Sequence, residues 1–92
     1  MTDAVHELLI TEAALDKLGA RGISAQEAEQ LPRNRHAIVR NPRTGATARR
    51  LVIGHTDGGR ILTLVIEATI ERATWLLITG WVATDAERKL LR

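Results

Sequence analysis

The chain has 92 residues, no cysteine, two tryptophans, no other aromatic residue and a formal charge of +2. That length describes one domain with a modest core, and the missing cysteines exclude a disulfide scaffold. No apolar run approaches the roughly 18 residues that cross a bilayer, and no basic start leads into an apolar leader, so the expected location is cytoplasmic, without membrane partners.

Taken in chain order, "ELLI" at 7–10 reads as a short strand. Thr11 then fits an N-cap for a helix through "EAALDKLGARG", with Gly22 as the C′ residue that ends it. Ser24 and Glu27 have capping-box spacing, so a second short helix runs to about Leu31, where Pro32 breaks it. "HAIV" at 36–39 reads as a strand, and "NPRTG" as a turn. "RRLVIGHT" and "RILTLVIEA" form a hairpin around "DGG". "TIERA" connects to a last strand, "TWLLITGW", and Thr84 with Glu87 opens a C-terminal helix. The expected fold class is α+β: two N-terminal helices, a four-stranded antiparallel meander and a C-terminal helix.

Strict alternation places Trp75, Leu77, Thr79 and Trp81 on one face of the last strand. Both faces of this strand and of 60–68 are apolar, so both need cover. Trp75, Leu77 and Trp81 are therefore expected as core or interface anchors, with a second copy or a partner supplying some of the cover.

Charge is unevenly spread. Residues 1–30 carry two basic and six acidic side chains, whereas 31–60 carry seven arginines and one acid, Asp57, a local balance of +6. Such a block attracts polyanions or an acidic protein. Arg35, His36, Arg49 and Arg50 are the binding candidates. His6, His36 and His55 fit no metal-ligand spacing, so no metal is expected, and no cofactor motif appears; "DGGR" lies in a hairpin and does not precede a helix.

The segments "GISAQEAEQL", "GHTDGGRILTLVIE" and "WLLITGWVATDAERKLL" together resemble the BrnT-like toxins of the RelE/ParE-like group of toxin–antitoxin proteins. The similarity spans about residues 10–91, in order and at similar spacing. Gly22-Ile23-Ser24 matches the step between the first two helices. Gly59-Arg60 and Leu62 match the hairpin, and Ala83, Glu87 and Arg88 match the last helix. Where the family often has an arginine on the last strand, this chain has Trp81, and it has no tyrosine. The resemblance implies a toxin with an antitoxin partner and metal-independent RNA cleavage. Arg60 would then clamp phosphate and His55 would serve as acid or base. The alternatives are a non-catalytic relative acting as an interaction module, alone or as a homo-oligomer, and a plain nucleic-acid-binding domain.

Overall fold

The computed structural model describes residues 4–40 and 49–91. The "NPRTG" turn lies outside the described residues. A single mixed sheet with strand order β1-β5-β4-β3-β2 organises the chain. Its strands are β1 (Glu7–Ile10), β2 (His36–Arg40), β3 (Arg49–His55), β4 (Ile61–Ala68) and β5 (Thr74–Val82). Strands β2 to β5 form the expected antiparallel meander. The expectation of four strands needs correction, because β1 joins the sheet beside β5 in parallel register, Leu8 opposite Trp75 and Ile10 opposite Leu77. Sequence neighbours do not reveal this pairing, since 67 positions separate the partners.

The helices form where their caps place them. Helix α1 (Glu12–Gly19) starts at Thr11, whose hydroxyl accepts from the Ala14 N–H. It ends in a Schellman turn: Gly22 N–H donates to Gly19 C=O, and Ile23 N–H to Leu18 C=O. Gly22 supplies the required left-handed conformation, φ +71°. Leu18 and Ile23, which such a turn brings together, are both buried. Helix α2 (Ala25–Gln30) carries the reciprocal Ser24–Glu27 capping box, and a 3-10 turn containing Pro32 follows it. Helix α3 (Asp85–Arg88) is one turn long, with the Thr84–Glu87 box at its start, and passes into a 3-10 turn through Leu91.

Helices α1 and α2 cover one face of the sheet. There Ala14, Leu18, Ile23, Ala28 and Leu31 pack on Val52, Leu62, Leu64, Ile66, Trp75 and Leu77. The C-terminal segment covers part of the opposite face, with Ala83 and Leu91 on Leu51, Ile53 and Val65. Both faces are apolar because each carries a core.

The alternation expected for β5 fails in its middle. Val65 pairs with Thr79, but Ile66 pairs with Leu77, so Ile78 is an extra residue in a bulge. One inserted residue reverses the parity of everything beyond it. Trp75 and Leu77 point to the helix layer, whereas Trp81 points to the C-terminal side. The reversal also brings Gly80 under α1. A Cβ there would lie 2.7 Å from Leu64 Cδ2, 3.0 Å from the Thr63 oxygen and 3.1 Å from Leu18 Cδ2, so only glycine admits the helix this closely.

Candidate functional site

The β3–β4 hairpin that carries His55 and Arg60 is held rigidly at its tip. The Thr56 N–H donates to Arg60 C=O at 2.8 Å, and Gly59 N–H to Thr56 C=O at 3.0 Å, with Gly59 at φ +91°. The buried Thr56 hydroxyl accepts from the Arg60 N–H at 3.0 Å. Side chains near the end of α2 brace the same tip. Asn34 donates to His55 C=O and to Asp57 Oδ1 at 2.9 and 2.8 Å, and Gln30 Oε1 accepts from the Asp57 N–H at 2.9 Å.

From this tip the guanidinium of Arg60 turns to the helix layer. Its Nη1 donates to both carboxylate oxygens of Glu27, at 3.1 and 3.0 Å, and to Gly22 C=O at 3.1 Å. Glu27 is also the capping residue of α2. One arginine therefore fastens the hairpin to both the turn that ends α1 and the box that starts α2. The Arg60 side chain keeps 40% of its exposure, so the ion pair itself contributes about 0–1 kcal/mol. Its larger effect is geometric.

His55 lies at the other side of the sheet. It stands opposite Ile61 in the β3–β4 register, two residues from Ile53, and both isoleucines belong to the C-terminal core. Arg60 and His55 thus diverge from one hairpin to opposite faces, and the two residues expected to act together on a phosphodiester do not meet.

The binding candidates are divided in the same way. Arg49 is paired across the strands with Glu67 at 2.9 Å. Arg50 Nη1 donates to the Arg49 carbonyl at 2.9 Å, and Arg50 stands opposite Ile66 of the helix-side core. His36 Nδ1 meets the Asn34 carbonyl at 2.8 Å and crowds Gly54, where an added Cβ would lie 2.9 Å from His36 Cβ. Arg35 donates through Nη2 to the Leu91 carbonyl, tying down the C-terminal turn. Four residues close in sequence thus serve two faces, because successive strand positions point oppositely.

A groove of roughly 500 Å³ opens where α3 meets the hairpin, lined by Ile61, Asp85, Arg88 and Lys89. His55 is the register partner of Ile61 on its floor. Arg88 and Lys89 were not among the expected site residues. The basic step "ERK" after the Thr84 capping box is the signal that points to them. Two exposed cations beside one carboxylate suit the holding of an anionic group, and among the described residues no histidine is hydrogen-bonded to a carboxylate that could orient it as a base.

Glu87 organises the other end of α3. Its Oε1 accepts from Thr84 N–H at 2.9 Å, from the Thr63 hydroxyl at 2.9 Å and from Trp81 Nε1–H at 3.0 Å. Burial alone would raise its pKa. The Thr84 backbone donor and the Trp81, Thr63 and Thr84 side chains overcome that and hold it below the ordinary value of 4.5. Trp81 is also approached by Arg21, whose guanidinium carbon stands 5.9 Å from the ring centroid. Trp75, in contrast, is 7% exposed and donates from Nε1 to Ala4 C=O at 2.9 Å. The expected trio separates: Trp75 and Leu77 are core residues, and Trp81 is the half-buried seat of α3.

No family model, no curated protein and no solved structure matches this chain. Among the described residues no group of three or more His, Asp or Glu side chains is placed to hold a metal ion, and no helix is long and apolar enough to cross a membrane.

Proposed function

We propose that this chain is a non-catalytic relative of the BrnT-like toxins and acts as a protein-interaction module. The observation that carries the reading is the engagement of Arg60 by Glu27 and Gly22. The arginine that the resemblance makes a phosphate clamp is occupied in joining hairpin to helices, and His55 stands across the sheet from it. Trp81, at the position of the family's last-strand arginine, is likewise bound to Glu87. RNA cleavage without metal needs a base, a cation and an acid around one phosphorus, and these residues converge on none. Support for kinship comes from the ordered motifs, which fall on the turn after α1, the β3–β4 hairpin and the start of α3.

A second reading, the toxin component of a toxin–antitoxin pair cleaving RNA in the cytoplasm, draws on the groove beside Ile61. There Arg88 and Lys89 offer cations beside Ile61, the register partner of His55. Expression of the chain alone separates the two. The module reading expects normal growth and intact transcripts. Growth arrest with cleaved transcripts, relieved by His55→Ala, would establish the toxin reading instead.

A further inference from the structure

Strand β2 is the last strand of the sheet, and its outer side pairs with no described residue. The bonding pattern fixes which backbone groups face outward. His55 N–H donates to Arg35 C=O at 3.2 Å, so Arg35 and His55 are a bonded pair of the antiparallel ladder. Bonded and non-bonded pairs alternate. Ala37 and Val39 are therefore directed to Ile53 and Leu51 of β3, and the N–H and C=O groups of His36, Ile38 and Arg40 point away from the sheet. The tight approach of His36 to Gly54 agrees, because non-bonded pairs bring side chains closest.

Side chains beside this edge define what it suits. Ala37, Ile38 and Val39 are only half-buried, Ile38 at the border of the helix-side core and the other two at the border of the C-terminal one. A further strand would complete both borders. Arg33 and Arg40 flank the edge, both exposed and both without an ion-pair partner among the described residues, and exposed Arg35 lies between them. A second copy's β2 would bring two sets of the exposed Arg33, Arg35 and Arg40 to one seam, and that like charge disfavours self-pairing. The same charges favour an acidic strand.

We infer that the outer edge of β2 takes up an extended acidic segment of a partner protein as an additional strand, His36, Ile38 and Arg40 supplying the main-chain hydrogen bonds and Arg33 and Arg40 the charge selection. This rests on the module reading above and names its partner class.

The experiment uses the full chain with three fluorescent probes: a synthetic peptide alternating valine and glutamate, the same peptide with lysine for glutamate, and a single-stranded RNA. Hydrogen exchange is followed at the amides of β2. The expected result is saturable, salt-weakened binding of the glutamate peptide alone, with new protection at His36, Ile38 and Arg40. Arg33→Glu with Arg40→Glu should weaken that peptide by about tenfold and admit the lysine peptide. Both substituted positions are exposed, so folding is retained, as circular dichroism will verify. No binding, equal binding of the lysine peptide, RNA competing for the same amides, or self-association protecting them without peptide would each overturn the proposal. The growth assay tests the module reading separately: normal growth with no peptide binding rejects the edge alone, and cleaved transcripts reject the module.

Discussion

Replacing Glu87 by alanine removes the group on which α3 is seated. In the native chain one carboxylate oxygen accepts from Thr84 N–H, Thr63 hydroxyl and Trp81 Nε1–H, all within 3.0 Å. Thr63 is fully buried, so its hydroxyl would lose its acceptor where water cannot readily replace it, at about 1–3 kcal/mol. Loss of the capping interaction adds about 0.5–2 kcal/mol, and the indole N–H, half-exposed, regains water at small cost. The sum is about 1.5–5 kcal/mol, a large part of the roughly 5–14 kcal/mol that holds a domain of this size. Glu87→Gln keeps an acceptor at the same place and loses only charge assistance, so it should cost about 1 kcal/mol. Urea unfolding followed by the fluorescence of Trp81, in a Trp75→Phe background, measures both. A double-mutant cycle with Trp81→Phe isolates the indole contact. Equal costs for alanine and glutamine, or an alanine cost under about 0.5 kcal/mol, would show that the carboxylate does not seat the helix.

The same carboxylate sets a pH dependence. Its folded pKa is lowered, so its contribution is present above the ordinary value near 4.5 and is lost as pH falls from there through the folded value; Glu87→Gln should flatten that part of the stability profile. Gly80→Ala, which places a Cβ 2.7 Å from Leu64 and 3.0 Å from a backbone oxygen, should destabilise by about 1–3 kcal/mol in thermal or urea melts. Gly22→Ala meets no neighbour but forces a side chain into a left-handed turn, and a loss of about 1 kcal/mol is expected by the same measurement. Arg60→Ala should lower stability by about 1 kcal/mol and increase amide exchange at Ile23 and Ser24, and because all three contacts come from the one nitrogen Nη1, Arg60→Lys, with three donors on its ammonium, should restore part of it.

Local chemistry was legible in this sequence to a fine grain. Thr11, Gly22, Ser24 with Glu27, the Asp57-Gly58-Gly59 turn and Thr84 with Glu87 all act where their residue types indicate, because caps and turns are settled by neighbours a few positions away. The α+β class follows from their order. What depends on distant partners was not legible. β1 needs β5 to become a strand of the sheet. The bulge at Ile78 leaves no mark in "WLLITGW", because apolar residues suit either face. The site suffered most. Counting seven arginines in one block suggests a concentrated patch, but Glu27 and Glu67 stand opposite two of them after folding, and alternation sends Arg40 and Arg50 to one face of the sheet and Arg35 to the other. The pairing of Arg60 with Glu27, 33 positions away, is of the same kind and leaves no mark in the local pattern around either residue.

The extra residue in β5 makes the strand an adaptor between unlike surroundings. Its first half belongs to a thick layer of helices, and its second half to a thin cap one turn long. Gly80 and Trp81, the smallest and the largest side chains, can be adjacent because each meets the surface that suits it. Deleting Ile78 would restore regular alternation and leave Gly80 opposite Leu64 and Trp81 opposite Thr63, on the faces they already occupy. The strand thus carries one residue more than its pairing with β4 uses, and the bulge that stores it lets both halves keep the faces that suit them.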